Sequence, residues 1–499
     1  MNDLAMRSAE TNAGRARGSL SAPFHAPAVQ FVICVATAIV LRAATFGNPN
    51  LFVDEAFYFA AGIEMTRGAL PYIDIWDRKP FGHFALYWAI AAISNAPIAY
   101  QLAASIFAGS TAFVILRFAN LHSKPISGYA AGLVYLCTIP VFSGYGGQSP
   151  VFYNALVAAC GLIVYRRSAR LNDPGSFSAL CLAMALGGIA LTLKQTVFFE
   201  VAAFGLWASI SLYRHLGDIG KTLRMAVLWA GIGAAPTLAI AGFYFASGHW
   251  TEFWHAMALS NLSKMYELKS SLARAALLGI LLAPLIALAT LSLREIPRKL
   301  RLFCIVWLSA ATLGFLIIPN FYHHYALSLL VPLCVAAASF FSRPIAGAAV
   351  LGALVATNLT IYPPFDFART ERTNSAINAI VTSIRKHDGG RSMLIYEGPI
   401  MLYALTGHRI PSPLAFPPHL SHGAERDVSH LETAAEVRRI LKKRPGVIVD
   451  GDFVQMPPNT ETRAMIDAYT SANCRLVESR TVPDRQKDYR ILVYGDCVR

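Results

Sequence analysis

The feature that most constrains this chain is a succession of apolar runs, each about as long as a bilayer is thick, separated by short basic loops. The first run, "PAVQFVICVATAIVLRAATF" (27–46), reaches the ~20 residues a spanning helix needs. Further runs read at roughly 97–119, 126–143, 150–165, 177–193, 196–213, 224–247, 273–293, 301–318, 324–341 and 344–362, which makes about eleven. No small-residue cleavage site follows the first run, so it reads as a span and not as a removed signal peptide. Placing alternate loops in the cytoplasm puts His122/Lys124, Arg166/Arg167/Arg170, Arg214/Lys221/Arg224, Arg294/Arg298/Lys299/Arg301 and Arg343 on the side of the N-terminal Arg7, Arg15 and Arg17. That is the positive-inside pattern.

Composition agrees. Hydrophobic residues make up 55% of the 499 positions and charged ones only 14%, which excludes a soluble enzyme of this length. The formal charge of +14 is accounted for by these loops, so no nucleic-acid partner is expected. Cys34, Cys137, Cys160, Cys181, Cys304 and Cys334 lie in apolar runs without metal-ligand spacing and read as packing residues.

One apolar stretch breaks the parity. "FGHFALYWAIAAIS" (81–94), which carries His83, is too short to cross a bilayer and is assigned to the outer surface as an interfacial or re-entrant helix. Residues 1–27 then form a cytoplasmic tail, 28–362 a membrane domain whose first external loop covers 47–96, and 363–499 an external unit. In that last part "SMLIYEG" (392–398), "GVIVDGD" (446–452) and "YRILVYGD" (489–496) alternate with helical patterns around 372–387, 433–444 and 460–471, as in a small α/β domain. Its two cysteines, Cys474 and Cys497, are either free or joined, since spacing does not place their Cα atoms.

Two charges open the first loop. "DEAFYFAAGIEMTRG" reads as an amphipathic helix ending at Gly68, with Asp54 near its start and Tyr58 one turn later on the same face. Asp54 is either an N-cap or a partly desolvated general base. The strip "GALPYIDIWDRKP" (68–80) adds Tyr72, Asp74, Asp77, Arg78 and Lys79. Its two cations either snorkel to lipid headgroups or bind a phosphate at membrane level.

The same outer side receives "GYGGQSP" (144–150) with Gln148, the Lys194–Gln195 pair, and "PNFYHHY" (319–325) with His323, His324 and Tyr325. A charge ending an apolar run, as Lys194 does, faces a cavity or a partner. The loop at 248–275, with Trp250, Trp254, Lys264, Tyr266, Lys269 and Arg274, is either an aromatic belt or a lid.

A "DE" soon after the first span, then "G-x-x-P-Y-x-D-x-W-D-x-K-P", then an apolar surface helix resembles the bacterial GT-C membrane glycosyltransferases, related to protein O-mannosyltransferases and the lipid A aminoarabinose transferase. The tail, with "EGPIMLYALTGHRIPSP" and "LKKRPGVIVD", is similar to that of lipopolysaccharide galacturonosyltransferases. The resemblance implies a mainly α polytopic GT-C-like fold with juxtamembrane helices in its first loop and a periplasmic C-terminal α/β domain. It implies Asp54 as catalytic base, Glu55 and Tyr58 beside it, and Lys79 on the donor phosphate, helped by Arg78, Lys194 and a histidine of 323 or 324. Tyr72, Asp74, Asp77, Gln148 and Tyr325 would line the substrate cavity. The implied donor is a polyprenyl-phosphate sugar and the implied acceptor lipid A or lipopolysaccharide core, with protein hydroxyls as the alternative.

Two departures stand out. Pro80 is followed by Phe81 where relatives write a second proline. "GGQSPVFYN" lacks the acid that many relatives carry in that loop. With few carboxylates available, metal-independent transfer is expected, by a monomer in the inner membrane. A flippase would instead place charges within spans and broken helices in paired halves, and a non-catalytic receptor would tolerate loss of Asp54.

Overall fold

The computed structural model describes residues 26–260, 267–452, 457–484 and 488–497. The arginines of the N-terminal tail, and Lys264 and Tyr266 of the 248–275 loop, lie outside the described residues. Among the described residues, ten helical stretches are long and apolar enough to cross a membrane: Pro27–Thr45, Ile98–Ala119, Pro125–Phe142, Ser149–Arg167, Ser176–Leu193, Gln195–Leu216, Ile219–Ala246, Leu268–Ser292, Arg298–Leu316 and His323–Ser342. At ~1.5 Å per residue, even 18 residues cover close to the ~30 Å hydrocarbon core. The last expected span is a helix of only 16 residues, Ala346–Ile361, which rises roughly 24 Å.

Basic residues end these helices where the loop pattern requires. Arg117 closes the Ile98–Ala119 helix, and Arg166 and Arg167 close Ser149–Arg167, positions that also complement the helix dipole. Arg42 is the exception. It ends the first span on the opposite side, yet it is buried, which removes it from the count of loop charges.

The 81–94 stretch forms one short helix, Phe81–Ile93. The helix before it, Val53–Thr66, is not amphipathic as expected: every residue from Glu55 to Glu64 is buried. Two surfaces cover it. On one side Gly62 presses on the Phe81–Ile93 helix so closely that a Cβ there would stand 2.5 Å from the Tyr87 carbonyl oxygen. On the other, Phe57 packs on Phe416 of the tail at 5.1 Å. The N-cap position falls on Phe52, so Asp54 is a first-turn acid, favoured there by the helix dipole, and does not cap the helix.

The tail begins with the Phe367–His387 helix, capped by Asp366, whose side chain accepts from the Arg369 N–H. A four-stranded sheet follows in the order β1-β2-β4-β3, with β1 Met393–Ile395, β2 Val447–Gly451, β3 Arg475–Val482 and β4 Tyr489–Gly495. β1 and β2 are parallel; β2 with β4 and β4 with β3 are antiparallel. β2 is buried along its whole length, whereas β4 alternates buried and more exposed positions, as a central and a one-sided strand do. The strand β3 has no counterpart in the sequence reading, because its "RLVESRTV" leaves most side chains exposed. Cys474 and Cys497 are joined by a disulfide, tying the start of β3 to the end of β4.

Candidate active site

The opening helix carries Asp54 and Glu55 into different surroundings, since adjacent helical residues point about 100° apart. Glu55 is fully buried, and its Oε2 accepts the Gly147 N–H. The turn that supplies this donor is shaped by two glycines. A Cβ on Gly146 would strike the Glu55 carboxylate, and one on Gly147 would strike the Tyr87 hydroxyl, which instead donates to the Gly147 carbonyl at 2.7 Å. Arg42 fastens the turn from beneath by donating to the Gly144 and Gly146 carbonyls. Burial pushes the Glu55 carboxyl up to about 8, against the Gly147 N–H and Arg42 and with the help of the Asp54 charge.

Asp54 is half-buried and looks toward cations. Burial raises its carboxyl above the ordinary range; Lys79 opposes this, Asp77 adds to it, and the Gln148 amide and Lys194 oppose it further. Both ammonium groups lie within electrostatic reach of Asp54 and of His324. Lys79 does not snorkel outward to lipid. Its Nζ stands 5.4 Å from the centre of the Tyr58 ring, a cation–π arrangement. The Tyr58 hydroxyl donates to Asp77 Oδ2, and burial, Asp77 and Asp54 hold that phenol well above its ordinary value. Asp77 Oδ1 takes the Arg78 N–H.

Lys194 lies between two helices in extended backbone, with its Nζ 4.9 Å from the Tyr325 ring centre. It lines a narrow cavity with Ser149, Tyr153, Glu200, His324 and Tyr325. His324 meets the Tyr325 ring edge-on at 4.6 Å. The structure therefore brings Asp54, Tyr58, Asp77, Lys79, Gln148, Lys194, His324 and Tyr325 to one region.

Four further sequence-derived residues are engaged by other partners. Tyr72 is fully buried; its hydroxyl donates to the Lys79 carbonyl at 2.8 Å, so it positions the lysine's backbone. Asp74 is exposed, accepts the Leu70 N–H at 2.8 Å, and borders a separate cleft with Glu64, Arg67 and Arg409. Arg78 is ion-paired with Glu425 of the tail. His323 is half-buried beside Arg274, whose Nε donates to the Asn320 carbonyl at 2.7 Å.

Glu200 was missed by the sequence reading. It is 3% exposed within an apolar helix, and Trp307 Nε1 donates to its Oε1 at 2.7 Å. A lone carboxylate inside a spanning run was the available signal. Among the described residues, no group of three or more His, Cys, Asp and Glu side chains is arranged to hold a metal ion.

No protein-family model matches the chain, and no curated protein matches it in sequence. Among solved structures it is similar to ArnT from Cupriavidus metallidurans bound to undecaprenyl phosphate, with 12% identity, a TM-score of 0.63, and coverage of 93% of this chain and 97% of that one. The same protein in its apo state gives 14% identity and a TM-score of 0.60 over the same shares. At such identities the likeness is one of fold. The chain is a polytopic membrane protein with the GT-C fold and a C-terminal α/β unit, the architecture it shares with ArnT.

Proposed function

We propose that this protein is an inverting membrane glycosyltransferase that moves a sugar from a polyprenyl-phosphate donor to lipid A or the lipopolysaccharide core. The observation that carries the reading is one carboxylate, Asp54, raised by burial and flanked by the ammonium groups of Lys79 and Lys194. A fold shared with a protein solved with undecaprenyl phosphate bound supports the donor class. The tail's resemblance to galacturonosyltransferases favours galacturonic acid over another hexose or pentose.

In this reading the polyprenyl chain stays in the bilayer and its phosphate meets Lys79, with Lys194 and His324 behind. Asp54 takes the proton of the acceptor hydroxyl as that oxygen attacks the anomeric carbon. The new C–O bond forms on one face while the bond to the phosphate oxygen breaks on the other, so configuration inverts. The leaving electron pair stays on the phosphate, where Lys79 stabilises it. Tyr58 holds Asp77 and carries Lys79 on its ring, which keeps the cation in register with the base. The commitment of Asp77 to Tyr58 and of Glu55 to Gly147 supports metal-independent transfer. The protein would work from the inner membrane, with site and tail in the periplasm.

The test is mass spectrometry of lipid A and core oligosaccharide from cells lacking the protein, complemented with wild type or Asp54→Asn. One sugar mass lost from the deletion strain and restored by wild type alone is the expected result. Unchanged glycolipids would move the acceptor to protein or another polymer.

A further inference from the structure

The far, basic side of the membrane domain holds a second feature, a groove of about 580 Å³ between the first span, the Pro125–Thr138 helix and the Ala346–Ile361 helix. Its walls are Ile33, Thr37, Tyr129, Leu133, Leu136 and Leu351, and its mouth carries Lys124 and Arg343. We infer that this groove binds one anionic phospholipid of the cytoplasmic leaflet, its phosphate at Lys124 and Arg343 and an acyl chain along the apolar walls.

The groove is built into the helix arrangement. The Ala346–Ile361 helix is pinned at both ends and open between them. At its inner end Gly347 lies so close to the Phe340 and Phe341 backbone that a Cβ would stand 2.8 Å from the Phe340 oxygen. At its outer end Asn358 Nδ2 donates to Thr138 Oγ1 at 2.8 Å. Among the residues of this helix only Gly347 is buried.

Length and charge select the occupant. From Lys124 at the mouth to Leu136 at the far end, the Pro125–Thr138 helix rises roughly 18 Å, a little over half of a ~30 Å hydrocarbon core. That is the reach of one leaflet. Lys124 is exposed and has no ion pair among the described residues, and Arg343 gives one nitrogen to Glu295 at 2.7 Å. The mouth therefore keeps a net positive charge at the level where the leaflet presents its phosphates. A neutral lipid would fill the walls equally well but would leave this charge unanswered.

The full chain, reconstituted in nanodiscs of equal parts phosphatidylglycerol and phosphatidylcholine and then extracted, is read by native mass spectrometry for retained lipid. We expect one phosphatidylglycerol held preferentially per chain. Lys124→Gln with Arg343→Gln should weaken its retention about thirtyfold, and Ala348→Phe should displace it by filling the groove while leaving both cations in place. Lys221→Gln, an exposed cation of the same side, should retain lipid like wild type. Equal retention of the two lipids, phosphatidylglycerol retained by either groove variant as by wild type, or a lipid-free dimer would overturn the inference. If the charge variant is not monodisperse, Ala348→Phe decides alone.

Discussion

Glu55 and Gly147, 92 residues apart, are joined by a hydrogen bond from the glycine N–H to an oxygen of the buried carboxyl group. That bond fixes the start of the Val53–Thr66 helix against the turn before the fourth span, and so determines which way the neighbouring Asp54 faces. The two acids divide their work: one anchors, the other meets the cations.

Asp54→Asn should abolish sugar transfer, by about 10²- to 10⁴-fold or more if the carboxylate is the general base, while leaving melting temperature and elution unchanged. The assay is transfer from a synthetic polyprenyl-phosphate sugar in proteoliposomes. Because burial raises the Asp54 carboxyl, the wild-type rate should climb with pH through a midpoint above the usual carboxylate range. Transfer by the Asp54→Asn variant at the wild-type rate would remove Asp54 from the mechanism.

Lys79→Ala should raise the donor KM roughly ten- to a hundredfold, the scale of a charge-assisted hydrogen bond to phosphate. Lys79→Arg should recover part of it. Unchanged donor dependence in the alanine variant would place the phosphate elsewhere.

Glu55→Gln bears on stability. An ordinary glutamate loses its proton near 4.5, whereas folded Glu55 holds it to about 8. Between those values the folded state binds a proton that the unfolded chain has released, so stability falls as pH rises through this window. Glutamine does not titrate. Its melting temperature in detergent should therefore vary less between pH 5 and 8 than that of wild type, and parallel curves would show that Glu55 is ionised in the folded protein.

Gly146→Ala should destabilise the site, because the added methyl meets the Glu55 carboxylate. A cost of about 1–3 kcal/mol is typical of overpacking. Thermal melts together with the transfer assay would show both effects, whereas the same substitution at Gly231, which has open space around it, should lack the steric part.

Elements with a strong local period were legible in the sequence: the long apolar runs, the short helix at 81–93, and the strands whose apolar residues alternate. The constituents of the site were also visible, because Asp54 and Lys79 lie in a motif of local spacing. What stayed hidden depended on distant pairing. Trp307 reaches Glu200 across 107 positions, and no pattern in either helix announces it. The packing of Tyr72 against Phe84, Tyr244 and Phe253 likewise joins separate stretches of the chain. The N-cap alternative for Asp54 rested on position alone, and the cap falls on Phe52, with the helix already under way at Val53.

The ion pair between Arg78 and Glu425 joins residues 347 positions apart. Both side chains are largely shielded from water, with exposures of 14% and 10%, so separating them would strand a desolvated guanidinium beside Lys79. A chimera that takes its membrane half from this protein and its tail from a relative would inherit that stranded charge unless position 425 is acidic. The tail and the first loop therefore form one inheritable unit, to be exchanged together or not at all.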